Sequence, residues 1–317
     1  MIRRGRVTDR RRTIITAALR TPVRLLLPVL LVLAGTLVLT PDAMADFLSP
    51  EDGTDSPNAE AIDNLYWILF ALSCVVFIGV EGALIYSLFK FRARKGAVPA
   101  QIRGNTRLEI GWTVGAAVVL VIIAIVTFIQ LDDVRTAPNT DQSAGLQLPA
   151  QSVPGETGTP DDRAFPRDGR ALKIKVNGQQ YVWRFTYPDG DDNDRNNAFD
   201  YETMVVPTDT TVTLEITAQD VAHSWWIPDA GGKFDAVPGH KNYTWLKIPG
   251  KMAGKTFRGQ CAELCGRNHA NMIAHVRSVK PDEYEAYIAR RKREIAAANR
   301  EAAKQRQEIE GDAAAGE

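Results

Sequence analysis

Two cysteines, a histidine and a methionine share one short segment, GQCAELCGRNHANM, whose side chains have the chemistry to bind a metal. The segment holds two of the three cysteines in the 317-residue chain, and another histidine follows a β-branched run upstream. Thiolate, imidazole and thioether groups are soft or borderline ligands, and together they select copper among the biological metals. The candidate ligands are His223, Cys261, Cys265, His269 and Met272.

The cysteine pair has three possible interpretations. A disulfide between Cys261 and Cys265 is the common outcome in an oxidising compartment, but it leaves the two histidines and the methionine without a shared purpose. A single blue-copper ion needs one cysteine, two histidines and a weak axial ligand. The additional thiolate therefore favours two metal ions that share bridging sulfurs.

The amino-terminal segment has the composition of an export signal. Residues 1–24 contain eight arginines and one acid, and the apolar run Leu25–Leu39 that follows is too short to span a bilayer. Ala43-Met44-Ala45 then matches the small-x-small pattern of a cleavage site. We predict a cleaved signal peptide over residues 1–45, with a retained first membrane helix as the alternative.

Two longer apolar segments, Leu65–Leu88 and Ile110–Leu131, are each long enough to cross a membrane. The connection Lys90–Arg107 contains six basic residues and no acid, which favours the cytoplasmic side. We therefore expect a transmembrane hairpin over residues 46–135 in the bacterial plasma membrane. In that topology everything after about residue 135 lies on the outer face, the side to which the signal would deliver the mature amino terminus.

The remaining chain predicts one small β domain between a linker and a charged tail. Residues 136–168 are rich in Pro, Gly, Ser, Thr and Gln, which is typical of a flexible, solvated linker. From 169 to 280, short β-branched runs alternate with turn residues, which favours an antiparallel sandwich or barrel. Residues 281–317 predict a surface helix that frays toward its end. The zero net charge conceals basic inner segments and outer acids, and nothing indicates nucleic-acid binding.

These motifs, in this order, resemble subunit II of the haem-copper cytochrome c oxidases. The resemblance extends from the membrane hairpin to about Val279 and is strongest over Asp220–Met272, where C-x-E-x-C-x3-H-x2-M follows the upstream histidine. It implies a cupredoxin-like Greek-key barrel that holds a binuclear copper centre of the CuA type. It further implies electron transfer from cytochrome c to haem in subunit I, where oxygen reduction is coupled to proton translocation.

The same resemblance assigns a role to each ligand. Cys261 and Cys265 would bridge the two copper ions, and Met272 would be a weak ligand. One ion each would be bound by His223 and His269. Glu263 would contribute its backbone carbonyl, and its side chain would point toward a magnesium site shared with subunit I.

Two related classes of protein remain as alternatives. A copper chaperone or thiol reductant of the Sco kind also uses C-x3-C and a distant histidine, but it has one membrane anchor and a thioredoxin-like α/β pattern. A quinol oxidase subunit II shares the fold and does not need the copper ligands. The chain contains no C-x-x-C-H motif for haem attachment, so the donor cytochrome is expected to be a separate protein or another subunit.

The resemblance also suggests where electrons enter. Relatives of the mitochondrial type carry a W-x-W segment above the copper site, and GQQYVWRF has Tyr181 and Trp183 at those positions. Residues two apart on a strand share a face, so both rings are candidates for the donor-facing surface, the alternative being that both are core. Nearby acids would steer a basic donor through a salt-screened field, or merely build a solvated turn. These acids are Asp189, Asp191, Asp192 and Asp194.

Two acids in the membrane hairpin are further candidates. Glu109 opens the second apolar segment at its predicted cytoplasmic end, where the family has the mouth of a proton-uptake route into subunit I. The alternative is an interfacial carboxylate balanced by Arg107. Glu81 lies deep in the first segment, where acids are costly and are usually functional or paired.

Several other residues near the proposed site have weaker assignments. Trp225, Trp226 and Phe257 are candidates for excluding water from the sulfurs, or else plain core residues. His240 and His275 are expected to be surface or packing residues.

Overall fold

Two long apolar helices precede a β domain and a carboxyl-terminal helix. The computed structural model describes residues 53–92, 96, 98, 100–150, 162–190 and 196–315. Helix α1 is Pro57–Lys90 and helix α2 is Thr106–Arg135, and both are long and apolar enough to cross a membrane. They extend the two predicted apolar segments at both ends. The predicted export signal over residues 1–45 lies outside the described residues.

Helix α2 begins with a reciprocal cap. The Asn105 side-chain oxygen accepts a hydrogen bond from the Leu108 N–H at 3.2 Å, and a Glu109 carboxylate oxygen accepts one from the Asn105 N–H at 3.3 Å. Each bond satisfies a backbone donor that has no partner within the helix. Glu109 therefore has a structural role at the start of the helix.

The described residues of the β domain form ten strands in three sheets. The strands are β1 (Leu172–Gln179), β2 (Val182–Tyr187), β3 (Ala198–Tyr201), β4 (Thr203–Pro207), β5 (Val212–Ala218), β6 (His223–Trp225), β7 (Phe234–Ala236), β8 (Asn242–Leu246), β9 (Thr256–Gln260) and β10 (Ile273–Val279). The sheets have the orders β3-β2-β1-β5-β8, β4-β10-β9 and β6-β7.

Strand direction differs from the antiparallel expectation in two places. β1 pairs with β5 in parallel, and β4 pairs with β10 in parallel. After β3 the chain crosses to the second sheet as β4 and returns to the first sheet as β5, which makes parallel neighbours possible. Hydrophobic alternation specifies which face of a strand is buried, but it does not specify the strand's direction.

The core lies between the sheets and follows a two-residue period. On β1, Ile174 and Val176 are fully buried, whereas Lys173 and Lys175 are half-buried on the other face. That alternation is expected for a strand with one face toward the core. The same core cluster includes the candidate ligands Cys261, Cys265 and Met272, so the copper-ligand segment is part of the folded core.

A buried carboxylate bridges β5 to two lysines. Glu215 Oε2 lies 2.8 Å from Lys173 Nζ, and Glu215 Oε1 lies 3.4 Å from Lys241 Nζ. Burial acts to raise the pKa of Glu215, but the hydrogen bonds and positive charges of the two lysines outweigh it, so the pKa is lower than the usual 4.5.

The expected flexible linker is ordered over much of its length. Ala137, Thr140 and Leu146 are buried, and the Thr140 hydroxyl donates to the Arg170 carbonyl at 2.6 Å and accepts from the Thr211 N–H at 3.1 Å. Residues 136–150 and 162–168 therefore differ from a solvated linker. Small polar side chains in this stretch are buried through hydrogen bonds to the residues at the start of β5 and not through apolar packing. Composition alone does not distinguish such buried polar residues from solvated ones. Residues 151–161 lie outside the described part of the chain.

The start of α1 is fastened to the β domain by a buried asparagine. The Asn58 side-chain amide donates to the carbonyls of Ala230, at 3.2 Å, and Trp245, at 3.0 Å. Its oxygen accepts from the Ser56 hydroxyl, which in turn accepts from the Lys247 N–H at 3.0 Å. Every polar atom of the Asn58 side chain thus contributes to the junction.

The end of α2 reaches the same strand. The Trp245 indole N–H donates to the carbonyl of Arg135, the last residue of α2, at 3.1 Å. Trp245 on β8 therefore contacts both membrane helices, accepting a bond from one through its carbonyl and donating a bond to the other through its ring. This residue joins the hairpin to the β domain.

Helix α3 (Pro281–Ala315) packs against β3 and β4 through its first half, where Tyr284 and Ile295 are buried. The second half is largely exposed and includes Ile309, which is 69% exposed. The tail was expected to be a surface helix that frays toward its end, and the helix runs from Pro281 to Ala315. Its alternating charges and many alanines favour an extended solvated helix.

Asp189, one of the four acids expected to steer the donor, is paired within the chain, and so is the later acid Asp200. Asp200 lies 2.9 Å from Arg291, and Asp189 lies 2.6 Å from Lys292, both of them bases on α3. Asp189 is therefore not a free steering charge, which corrects the expectation for that residue. Asp191, Asp192 and Asp194 lie outside the described residues.

Candidate metal centre

Three separate segments supply the candidate ligands. His223 begins β6, Cys261 and Cys265 lie in the loop after β9, and Met272 follows a short 3₁₀ turn that begins at His269. The Cys261 N–H donates to the Met272 carbonyl at 2.9 Å, and the next N–H donates to the carbonyl of the residue after His223 at 2.9 Å. These backbone bonds fix the cysteine loop against both neighbouring segments.

A glycine permits this close approach. A Cβ at Gly259 would overlap the Trp226 carbonyl oxygen and would lie 2.6 Å from Ile227 Cδ1 and 2.9 Å from Ile227 Cα. No L side chain fits between backbones at such distances, so glycine is required two residues before Cys261.

The ligand atoms form two similar halves. Cys261 Sγ lies 3.8 Å from His223 Nδ1, Cys265 Sγ lies 3.6 Å from His269 Nδ1, and the two sulfurs are 3.9 Å apart. Met272 Sδ lies 3.9 Å from Cys265 Sγ, and the Glu263 carbonyl oxygen lies 3.3 Å from Cys261 Sγ. Each cysteine therefore has its own histidine and one further weak donor.

These separations suit metal coordination. Metal–sulfur bonds of about 2.3 Å and metal–nitrogen bonds of about 2.1 Å allow a sulfur and a nitrogen on one ion to be up to about 4.4 Å apart. The sulfur–nitrogen distances of 3.8 and 3.6 Å both satisfy this limit. The ligand atoms of His223, Cys261 and Cys265 also all lie within 4.8 Å of one another.

The cysteines are free thiols. Their sulfur separation of 3.9 Å is far from the roughly 2.05 Å of a disulfide bond, so the structure does not contain the disulfide considered as an alternative. Burial, with the neighbouring Cys261 thiol, raises the pKa of Cys265 to about 11. Cys265 is therefore a neutral thiol at neutral pH unless a cation lies beside it.

A carboxylate orients the buried histidine. Asp220 Oδ1 lies 2.9 Å from His223 Nε2, which leaves Nδ1 directed at the sulfur. Burial acts to raise the pKa of Asp220, but hydrogen bonds from the Gln180 N–H and from His223 outweigh it and lower the pKa below 3.8. Such partners set the tautomer and orientation of a ligating imidazole.

The centre is shielded from water by aromatic and apolar side chains. His223 and Met272 are fully buried, and Cys261 and Cys265 are only 3% and 5% exposed. Of the three candidate shielding residues, two are buried and one is half-buried. Trp225 and Phe257 are the buried residues, and Trp226 is the half-buried one.

Trp183 is a core residue, contrary to the expectation that it shares a donor-facing surface with Tyr181. Its ring is fully buried and lies edge-on to His223, with ring centroids 5.9 Å apart. Tyr181 lies just before β2, in the turn after β1, and is half-buried. The two residues do not share a strand face, because Tyr181 belongs to the turn, so only Tyr181 is available for surface contact.

The other candidate residues lie away from the sulfurs or at the margin. Glu263 has an exposed side chain beside the centre, Glu109 is exposed at the start of α2, and Glu81 is half-buried in α1. His240 is exposed and His275 is half-buried on β10, which fits their expected surface and packing roles.

Sequence reasoning did not assign roles to two residues that the structure brings to the site. Asp220 lies three positions before His223, and this spacing was a usable signal for an orienting carboxylate. Gln180 also reaches the ligand segments, and its side-chain amide donates to the Cys265 carbonyl at 2.6 Å. No local pattern marks a glutamine 85 positions from its partner.

Comparison with known proteins identifies the family. The model described as "Cytochrome C oxidase subunit II, transmembrane domain" matches residues 51–129, and the model described as "Cytochrome C oxidase subunit II, periplasmic domain" matches residues 195–279. A probable cytochrome c oxidase subunit 2 of Rickettsia bellii is 32% identical over 249 residues, which cover 74% of this chain and 80% of the relative.

Two further proteins show the same similarity. Cytochrome c oxidase subunit 2 of Alkalihalophilus pseudofirmus is 34% identical over 242 residues, covering 73% of this chain and 59% of the relative. A crystal structure of the periplasmic domain of subunit II of cytochrome oxidase from Bradyrhizobium japonicum is 30% identical, with a TM-score of 0.36, and covers 40% of this chain and 96% of that one.

The two membrane helices and the β domain do not fit the Sco alternative, and the complete ligand set does not favour the quinol oxidase alternative. Both family models and the curated relatives agree with the copper-binding motif and with its geometry. The chain belongs to the cytochrome c oxidase subunit II family, and it is a membrane-spanning, copper-binding subunit that works with the other subunits of a cytochrome c oxidase.

Proposed function

We propose that this subunit accepts electrons from a c-type cytochrome at a binuclear CuA centre and passes them to haem in subunit I. The observation that carries the proposal is the paired ligand geometry. Each cysteine sulfur has a histidine nitrogen within 3.8 Å, and the two sulfurs face each other at 3.9 Å. A single-copper site would leave one thiolate and one of these pairs unused.

The proposed ligands are Cys261 and Cys265 as bridges, His223 and His269 on one ion each, with Met272 and the Glu263 carbonyl as weak donors. When bound, the copper pair supplies one-electron redox chemistry. The chain's part is to keep these ligands in one geometry in both redox states. Backbone hydrogen bonds hold the cysteine loop, Asp220 orients His223, and burial of the sulfurs excludes water.

Copper stoichiometry tests this proposal. The full chain, purified in detergent and reconstituted with copper, is expected to bind two ions and to show one unpaired electron shared over both nuclei. Cys261→Ser and Cys265→Ser are expected to lose the shared-electron signal, because a hydroxyl is a poor bridge for copper. A single-copper stoichiometry in the wild-type chain, or a disulfide that persists in the assembled oxidase, contradicts the proposal.

Met272 is proposed to tune the centre more than to hold it. Met272→Leu is expected to retain both ions and to shift the reduction potential, because a weak axial thioether chiefly sets the potential. Met252→Leu is the matched control, since Met252 is also a buried methionine but lies outside the ligand set. A Met272→Leu variant that loses both ions, or keeps the control's potential, contradicts this role.

Tyr181 is the proposed contact for the electron donor. Support comes from its half-buried position in the turn after β1 and from its hydroxyl, which would lie 2.6 Å from a Cβ built on Gly266, next to Cys265. Trp183 is buried against His223, so we propose that it affects electron transfer only from inside the core and does not contact the donor. Tyr181→Ala is expected to slow electron transfer from cytochrome c while the copper spectrum is unchanged. Tyr201→Ala, at an exposed tyrosine on β3, is the control.

The acids that follow β2 in the sequence are proposed to steer a basic donor. Neutralising Asp191, Asp192 and Asp194 together is expected to slow association mainly at low ionic strength, because salt screens exposed charges. Association that is independent of both salt and these charges contradicts steering and favours a donor held permanently in the complex.

Glu109 is proposed to lie at the inner mouth of a proton-uptake route. The basic connection before α2 supports an inward position, and the exposed carboxylate supports access to protons. Glu109→Gln keeps an acceptor for the Asn105 N–H, so the helix start is preserved while the ionisable group is lost. We expect slower proton uptake and normal copper reduction. Normal turnover across pH contradicts the role.

The remaining proposals concern magnesium, orientation and lipid. We propose that the Glu263 side chain contributes to a magnesium site shared with subunit I, that the copper domain faces outward from a bacterial plasma membrane, and that α1 and α2 contact lipid. Manganese substituted for magnesium in the assembled oxidase is expected to lose its native signal in Glu263→Gln. A native manganese signal in this variant contradicts that ligand.

A further inference from the structure

The turn between β1 and β2 touches both parts of the metal centre through one residue. The Gln180 N–H donates to Asp220 Oδ2 at 2.7 Å, and its side-chain amide donates to the Cys265 carbonyl at 2.6 Å. The other oxygen of Asp220 lies 2.9 Å from His223. A continuous path of hydrogen bonds therefore runs from the Cys265 backbone through Gln180 and Asp220 to His223.

The receiving backbone is shaped for this contact. Gly266, directly after Cys265, has a φ of +132°, a conformation that L side chains rarely adopt. A Cβ there would lie 2.6 Å from the Tyr181 hydroxyl and 2.9 Å from Gln180 Nε2. Glycine therefore allows the turn to lie directly on the Cys265–Gly266 peptide.

Apart from the buried Cys265, residues 263–268, the stretch that Gln180 holds, are exposed. Glu263, Leu264 and Arg267 are exposed, Leu264 by 78%. Among the hydrogen bonds of the described residues, the Gln180 bond is the one that reaches residues 263–268 from a distant part of the chain. A segment with few buried contacts opens locally at low free-energy cost, so one well-placed bond has a large share in keeping it closed.

We propose that Gln180 is a positioning residue that clamps the Cys265 segment to the His223 side of the centre. The clamp sets the geometry of two ligands at once, because Gln180 bonds to the backbone of one and to the orienting carboxylate of the other. Because Tyr181 is the next residue, the Gln180 bond also keeps Tyr181 close to the Cys265 backbone. The effect on copper rests on the proposed function, whereas the effect on the two thiols is a property of the chain itself.

Thiol reactivity in the copper-free full chain tests the clamp without reference to copper. All variants carry Cys74→Ser, so that only the two site cysteines react with an aromatic disulfide reagent. Gln180→Met removes the side-chain donor and keeps the backbone N–H. Gln179→Met is the matched control, because no hydrogen bond of the described residues joins the Gln179 side chain to either ligand segment. We expect Cys265 to react about fivefold faster in Gln180→Met than in the control, the ratio that corresponds to the ~1 kcal/mol of one hydrogen bond.

A second variant disturbs the same contact from the other side, so that the test does not depend on the folding of Gln180→Met alone. Gly266→Ala forces the same turn off the Cys265 backbone and is expected to accelerate the Cys265 reaction in the same way. The clamp is overturned if folded Gln180→Met or Gly266→Ala reacts at the control rate.

Copper retention then separates the clamp from the proposed function. In the copper-loaded full chain, Gln180→Met is expected to lose copper to a competing chelator at about tenfold lower chelator concentration than the control, as is usual for partners of metal ligands. Its reduction potential is expected to move as well. Equal retention and equal potential contradict the clamp. A wild-type chain that binds no copper contradicts the proposed function, while the thiol result stands.

Discussion

Replacing Asn58 with alanine tests the junction between the membrane hairpin and the β domain. The substitution removes three hydrogen bonds: two that the side-chain amide donates, at 3.2 and 3.0 Å, and one that its oxygen accepts from the Ser56 hydroxyl. It leaves the carbonyls of Ala230 and Trp245 without these donors in a site where Asn58 is only 3% exposed. Each lost bond costs about 1 kcal/mol, and a buried carbonyl left unsatisfied adds to this. We expect the free energy of unfolding to fall by about 2 to 4 kcal/mol.

Urea unfolding of the full chain in detergent, followed by tryptophan fluorescence, measures this loss. With a slope of about 2 kcal/mol per molar urea, the midpoint is expected to fall by about 1 to 2 M. Asn64→Ala is the control, because Asn64 is exposed on the same helix. If the two variants unfold within about 0.3 M of each other, Asn58 does not fasten the junction.

Three further substitutions address other contacts. Glu215→Gln is expected to lower stability at neutral pH by about 1.5 to 3 kcal/mol, because it weakens the bond to Lys173. The folded-state pKa of this carboxyl is below 4.5, so the stability difference between wild type and variant should be full above pH 4.5 and vanish as the pH falls through the folded-state pKa. Unfolding midpoints measured down to about pH 3 will check this. Gly259→Ala is expected to cost at least about 2 kcal/mol and to lower copper content, because its Cβ overlaps the Trp226 carbonyl; normal copper content and stability contradict this. Arg291→Ala is expected to loosen the carboxyl-terminal helix, and limited proteolysis that is no faster than in wild type refutes that anchor.

Periodicity and length predicted the main elements because each leaves a local trace. The two apolar runs predicted both membrane helices. Within strands, the alternation of apolar residues such as Ile174 and Val176 with polar ones predicted which face of the strand is buried. Strand direction was less accessible, because parallel pairing of β1 with β5 depends on where the chain crosses between sheets. The order in residues 136–150 was missed because threonines such as Thr140 pack through hydrogen bonds, while composition counts them as solvated.

The metal site could be predicted where its ligands lie close together in the sequence. Cys261, Cys265 and Met272 share one segment, so their meeting required only a turn. Trp183 was misplaced because the two-residue rule applies within a strand, and β2 begins only after Tyr181. Gln180 was invisible because its partner is distant and an amide has no distinctive metal chemistry.

The contact of Trp245 with both membrane helices bears on how uniform a population of these molecules can be. Two separate attachments to one residue restrict tilting of the β domain, whereas a single tether would permit a spread of heights above the bilayer. Electron tunnelling slows exponentially with distance, so such a spread would give each molecule its own transfer rate, with the most raised ones lagging. By bonding the start of α1 and the end of α2 to the same residue of β8, the chain narrows that distribution. Through its bonds to Asn58 and Arg135, a tryptophan that binds no metal thereby helps to set the distance that electrons must cross.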